Sequence, residues 1–181
     1  MAHSPATLEW RPLSPNDTAQ VVKIASSIHQ DLPERDAVFE ERITLFPEGC
    51  LGLFKTTNQD QGQRQEQDQQ LCGYILSHPI PHHSPPSLDT LLTQIAPNAT
   101  QYYIHDLAIL AEFRGSGLAQ RGVEKVLETA AKEYETSSLV SVYGTSGFWG
   151  RFGFRQVDVE EKLREKVRGY GEEAVFLERK N

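Results

Sequence analysis

Apolar residues recur along this chain at two spacings, and the switches between them lay out most of the elements. Leu8-Glu9-Trp10-Arg11-Pro12-Leu13 reads as a first strand, stopped by Ser14-Pro15. Ala19, Val22 (with Val21), Ala25 and Ile28 (with Ile24) then follow helical spacing, and Asn16 or Asp17 is placed to cap that helix. Pro33 ends it. Asp36 opens a second helix carrying Val38, Phe39, Ile43, Leu45 and Phe46, which Pro47-Glu48-Gly49 breaks. Residues 50–54 and 71–76 look like strands. Between them, residues 56–70 are rich in Gln, Asp and Asn, bury too little surface to offset ordering entropy, and predict a mobile hairpin loop. Residues 79–86 read as irregular, with a short helix over 88–95.

The strongest strand follows, Tyr102-Tyr103-Ile104-His105-Asp106-Leu107-Ala108-Ile109-Leu110, whose β-branched and aromatic content suits a buried pleated element. The longest helix comes next, with Leu118, Ala119, Val123, Val126, Leu127 and Ala130 as its apolar stripe. Strands over 138–143, 154–157 and 174–177, a short helix around 148–151 and a charged segment over 160–168 complete the chain. The order β-α-α-β-β-β-α-β-α-β-(α)-β predicts an α/β fold in one domain spanning residues 1–181, its core over about 8–178, with no internal repeat.

Composition narrows the setting. The 181 residues suffice for one sizeable core. The net charge of −7 argues against broad nucleic-acid binding, which needs a basic face, and is compatible with a cationic acceptor. No apolar run approaches membrane-spanning length. The first fifteen residues lack an apolar core after a basic start, so a cytosolic protein with nuclear access is expected. Cys50 and Cys72 are expected to be buried thiols. The sequon Asn98-Ala99-Thr100 carries no weight without secretion. His78, His82 and His83 lie among prolines; neighbouring histidines on a rigid strand chelate poorly, so a surface loop and no metal site are expected.

The informative unit runs from Ile104 to Val126: a buried strand, a turn carrying Gly115 and Gly117, and at once an amphipathic helix. Glycines let the backbone take unusual dihedrals and approach a ligand closely. The free amides and positive dipole end of the helix make an anion site suited to a pyrophosphate, and Arg114 adds a permanent charge. A Rossmann loop would want a third glycine, and a Walker loop Gly-Lys-Ser/Thr. Arg114-Gly115-Ser116-Gly117-Leu118-Ala119 resembles the Arg/Gln-x-x-Gly-x-Gly/Ala signature of the GCN5-related N-acetyltransferase (GNAT) superfamily. Phe148-Trp149-Gly150-Arg151-Phe152-Gly153-Phe154 is similar to that family's Phe-Tyr-x-Lys-x-Gly-Phe segment. The stretches around His105–Leu110 and Gly147–Trp149 also resemble a poorly characterised bacterial and fungal branch.

The resemblance implies a central mixed, mostly antiparallel twisted sheet flanked by helices, binding acetyl-CoA. Backbone groups of Leu107, Ala108 and Ile109 would meet the pantetheine arm. Amides from Arg114, Gly115, Ser116, Gly117, Leu118 and Ala119 would hold the pyrophosphate, and Phe148 and Trp149 would line the cofactor cleft. Divergence of the central strand from the 139–143 strand would open that cleft. Transfer to a primary amine is then expected, to a small molecule first and to a protein lysine or N-terminus as the alternative. A homodimer is left open, as is a catalytically silent acyl-CoA-binding module.

Direct transfer needs a base to free the amine lone pair and a donor for the departing thiolate. An amide near Ile109 could hold the oxyanion. Asp106 is the base candidate, its burial expected to raise its pKa. His105 is a second candidate, and strand alternation would let only one of the two face the cleft. The family's usual tyrosine donor is replaced by Trp149, whose indole cannot serve as an acid at neutral pH. Tyr143, Ser146 or water is then the substitute. Asp31, Glu34, Arg35 and Asp36 either select a charged acceptor or form a solvated turn.

Overall fold

The computed structural model describes residues 7–56 and 69–181. Seven strands form one sheet: β1 (Thr7–Pro12), β2 (Cys50–Thr56), β3 (Gln69–Ile80), β4 (Gln101–Ile109), β5 (Thr136–Ser141), β6 (Arg155–Gln156) and β7 (Val175–Lys180). They lie in the order β1-β2-β3-β4-β5-β7-β6. All neighbours are antiparallel except β4 and β5, so the sheet is mixed and mostly antiparallel, as the resemblance implied.

Helices cover both faces. α3 (Leu118–Ala130) presents Leu118, Val123, Val126 and Leu127 to Trp10, Ile75, Ile104 and Leu139 on one face. α1 (Thr18–Ile28) and α2 (Asp36–Leu45) bring Val21, Ile24, Phe39 and Ile43 to Phe54, Tyr74 and Leu76 on the other. Each fully buried aliphatic side chain contributes about 1.5–3 kcal/mol, which is why these stripes dictate which helix sits where. α4 (Ser146–Gly150) and α5 (Glu161–Arg168) pack at the β5–β7 end. Trp10 locks α3 in place, its indole N–H donating to the Leu118 carbonyl at 2.8 Å. Among the described residues, no helix is long and apolar enough to cross a membrane.

Two sequence expectations need correcting. β3 runs on through His78 and Pro79 to Ile80, and His78 is fully buried instead of looping at the surface. Proline is tolerated there because β2 ends opposite Leu76, leaving that flank of β3 without a ladder to break. Residues 88–95 form no helix; Asp89 and Thr93 take positive φ, and the segment's amides are claimed from outside. The Glu41 carboxylate accepts from Leu92 and Thr93 at 2.8 and 2.7 Å, and Glu34 accepts from Asp89 at 3.0 Å. The expected hairpin is present, closing on the pair Thr56 and Gln69. The polar loop proposed between its strands lies, for residues 57–68, outside the described residues.

α3 approaches Trp10 so closely that position 122 has room only for glycine: a Cβ there would sit 2.6 Å from the indole ring. Gly122→Ala is therefore expected to destabilise the fold by about 1–3 kcal/mol, despite alanine's better helix propensity. A lower urea midpoint at unchanged slope would show it.

Candidate active site

The site begins where β4 and β5 part. The two strands pair in parallel from Gln101–Thr136 to Ile104–Leu139 and no further, although β4 continues to Ile109. Parallel strands that stop pairing leave a wedge, and side chains and free backbone groups line it. A cleft of about 150 Å³ occupies this wedge, walled by residues 104–107 on one side and by Leu139, Val140, Val142 and Tyr143 on the other. Phe148 and Trp149 of α4 close one wall. The expected divergence is thus present.

Backbone polarity within the wedge follows from β4's other neighbour. The Leu110 amide donates to Cys72 at 2.9 Å and Ala108 pairs with Tyr74, so these backbone groups face β3. Alternation turns those of Leu107 and Ile109 to the open flank. The Ile109 carbonyl accepts from Arg114 Nε at 2.7 Å, and its amide lies on the same flank, where pairing with β5 has already ended. Just beyond, Gly115 (φ 84°) and Gly117 (φ 74°) occupy left-handed conformations that suit glycine and little else. The first intrahelical bond of α3 is Arg121 N–H to the Gly117 carbonyl, 3.1 Å. The amides of Leu118, Ala119 and Gln120 therefore point out of the helix unpaired, at its positive end. No side chain caps them. The loop 114–119 thus follows, through residues 110–113, on the strand that lines the wedge.

At the far end of the wedge, β4 carries a bulge. Asp106 pairs with Leu76 and Ile104 with Ser77, so His105 is an extra residue without a counterpart. Alternation had predicted that only one of His105 and Asp106 faces the cleft. The bulge breaks it, and both side chains meet the segment after α1. His105 Nε2 lies 2.9 Å from Glu34 Oε2, a pair almost wholly buried. Asp106 Oδ1 lies 2.9 Å from His29 Nε2, off the direction of an imidazole N–H, so the contact is an ion pair more than a straight hydrogen bond. Its Oδ2 accepts from the Tyr74 hydroxyl at 2.5 Å.

These contacts set the charges. Burial favours a neutral Asp106, but the contact and positive charge of His29, with the Tyr74 hydroxyl, outweigh it and hold the carboxyl below its usual range. The expectation that burial raises Asp106 is overturned for that reason. Glu34 is likewise buried yet held low, by the charge and hydrogen bond of His105 and by the Asp89 amide. For His29 burial favours the neutral ring, but Asp106 and the charge of Glu34 raise its pKa above the ordinary value. Tyr74 is pushed well up by burial and by Asp106, so it stays a hydroxyl donor.

Other sequence candidates divide. Tyr143 lies beyond the end of β5 with φ 53°, half-exposed, its ring stacked on His29 with centroids 5.9 Å apart and planes 6° from parallel. Partial burial, helped by the charges of Asp31 and Asp106, raises its pKa, which keeps it protonated. Ser146 is tied to Ser141 Oγ at 3.2 Å. Trp149 is buried against Phe148 and Phe154. Of the four charged residues after α1, Glu34 enters the cleft, whereas Arg35 forms an exposed pair with Asp89 at 2.9 Å. Sequence reasoning missed His29 and Tyr74. His29 merely follows the apolar stripe of α1, where a basic residue is unremarkable, and Tyr74 reads as core.

Comparison with known proteins supports this architecture. The loading GNATL domain of CurA from Lyngbya majuscula superposes with a TM-score of 0.72 at 16% identity, over 96% of this chain and 98% of that one. Arabidopsis thaliana Naa50, in complex with the bisubstrate analogue CoA-Ac-MVNAL, gives 0.64 at 13% identity, over 95% and 97%. Ard1 from Thermoplasma volcanium gives 0.64 at 14%, over 96% and 97%. At such identities the likeness is one of fold. No curated protein matches by sequence. Residues 27–154, however, match the acetyltransferase (GNAT) family, a span that holds His29, the β4 bulge, the glycine loop and the Phe148–Phe154 segment, and the chain belongs to that family.

Proposed function

We propose that this acetyltransferase moves the acetyl group of acetyl-CoA directly onto a primary amine, with a small molecule as acceptor. One observation carries the reading: β4, where it parts from β5, carries a histidine–carboxylate contact at its bulge and leads on to a turn that leaves the first helix amides open. The pyrophosphate would rest on the loop 114–119, with Arg114 beside it. The pantetheine arm would run along the open flank of β4, meeting Leu107 and Ile109, beside Ala108 and under Phe148 and Trp149. The cleft beyond is small and carries two ionised carboxylates, Asp106 and Glu34, which suits an ammonium that must lose a proton before it reacts.

Within that reading Asp106 acts through His29. Both carboxylate oxygens are engaged and its pKa is low, so it is a poor base by itself. His29 is the group able to accept a proton near neutrality, with Asp106 holding the ring and stabilising its charged form. His105 is bound to Glu34 and shapes the acceptor end. The amine nitrogen would attack the thioester carbonyl, the Ile109 amide would stabilise the oxyanion, and the thiolate would leave with a proton from Tyr143 or water. No covalent enzyme intermediate is formed.

Calorimetry with acetyl-CoA, together with free-thiol release over an amine panel, tests the activity. Binding with turnover of small amines is expected. Turnover confined to peptides would move the acceptor to a protein lysine or N-terminus, and binding without any transfer would make the chain a silent acyl-CoA module. Gly117→Trp should abolish coenzyme A binding, because it both strains a left-handed position and fills the loop; affinity that survives would mean the loop has another role.

The pH dependence separates the two bases. His29 must be neutral to work and its pKa is raised, so the acidic limb of kcat/KM should fall above about pH 6.5. Asp106→Asn removes the largest influence raising His29, so the limb should move to lower pH while coenzyme A affinity stays unchanged. His29→Gln should lower kcat by about 10²–10⁴-fold and erase the limb. An Asp106→Asn profile with an unshifted limb would return Asp106 to a purely structural role.

A further inference from the structure

The structure brings together a second cluster, at the opposite end of β4 from the bulge. His82 and His83 follow the end of β3, and in extended backbone their rings would point to opposite sides. His83 is not extended: its φ of 53° puts it in the left-handed region, which a residue other than glycine takes only when its surroundings enforce it. The bend folds the two rings onto one another, centroids 3.9 Å apart and 20° from parallel. Glu178 of β7 supplies a third donor, its Oε2 lying 2.8 Å from His83 Nε2. One ligand atom from each of the three residues lies within 4.8 Å of the others.

A buried amide holds this group in shape. Gln101, the first residue of β4, is fully buried. Its Nε2 donates to Glu178 Oε2 at 2.6 Å and to Thr136 Oγ1 at 3.0 Å, while its Oε1 accepts from the His83 amide at 3.2 Å and from Ser138 Oγ at 2.9 Å. One side chain thus fixes both the carboxylate and the strained backbone of the histidine opposite it. Phe176 packs edge-on against the His83 ring at 5.4 Å and limits its rotation. His82 stays exposed and opens onto a hollow of about 370 Å³ that also holds Glu160, Lys162 and Lys166. The Lys166 ammonium is drawn to the Pro85 carbonyl at 2.9 Å.

We propose that His82, His83 and Glu178 form a binding site for a borderline divalent transition cation, with Zn²⁺ the reference ion. Two imidazoles and one carboxylate are a donor set that such cations favour, and water from the hollow would complete a tetrahedron. On binding, His83 Nε2 gives up any proton it shares with Glu178, and each donor closes to about 2.0–2.2 Å of the metal. Gln101 remains as the group that orients the carboxylate, the supporting contact such ligands usually have. Occupancy would tie the segment between β3 and β4, which carries Leu88 of the acyl cleft, to β7.

The test is calorimetric titration of tag-free, chelator-treated protein with Zn²⁺ alone, followed by thermal melting with and without the ion. One equivalent is expected to bind saturably in the micromolar range and to raise the Tm. His82→Ala and His83→Ala should each weaken binding at least tenfold, and Glu178→Gln should do the same. His82 is exposed, so its variant remains folded even if the other two do not. No saturable binding, or binding that survives His82→Ala while His29→Ala or His105→Ala removes it, would overturn the site.

Discussion

Beyond Ile104 and Leu139 the two parallel strands at the centre of the sheet stop exchanging hydrogen bonds, and nearly everything functional in this molecule hangs on that parting. A β4 edge with unpaired backbone groups inside a domain is costly to bury unless something bonds to it. Here the Arg114 side chain takes the Ile109 carbonyl, and the remaining open groups are those a linear amide-bearing ligand would pair with. The same parting sends the chain from β4 into the glycine turn, whose left-handed residues let α3 start at once with its first amides unclaimed. The wedge and the open helix amides are two results of one topological break.

The bulge at His105 decides what the wedge can do chemically. Without it, one of two adjacent residues would face away from the segment after α1. With it, two carboxylate–histidine contacts sit side by side, Asp106 with His29 and Glu34 with His105. Unpaired, any of these buried charges would be expensive; matched, each partner offsets the desolvation of the other. The pairing also explains why both carboxylates are held ionised despite burial, and why the pKa of His29 is raised although the ring is largely buried.

Much of this was legible in the residues. The apolar stripe of α3, the β-branched run of β4 and the two glycines pointed to the strand–turn–helix unit, because local pattern and local chemistry agree there. What could not be read was set by contacts distant in sequence. Alternation predicted opposite faces for His105 and Asp106, and only the pairing with Leu76 and Ser77 reveals the extra residue. Burial predicted a raised Asp106, yet its pKa is set by His29 and Tyr74, 77 and 32 positions away. Residues 88–95 read locally as a helix because nothing local says that Glu34 and Glu41 take their amides. His82 and His83 read as a surface loop without a metal site, and a single positive φ changes what they can share.

A crystal structure with coenzyme A bound is the most direct measurement. The expected density places the pyrophosphate on the amides of residues 114–120 and the pantetheine arm against Leu107 and Ile109. The sulfur should then lie within the wedge, facing His29 across an acceptor-sized gap. A cofactor seated elsewhere, or β4 and β5 zipped together past Ile104 and Leu139 with the arm excluded, would contradict it.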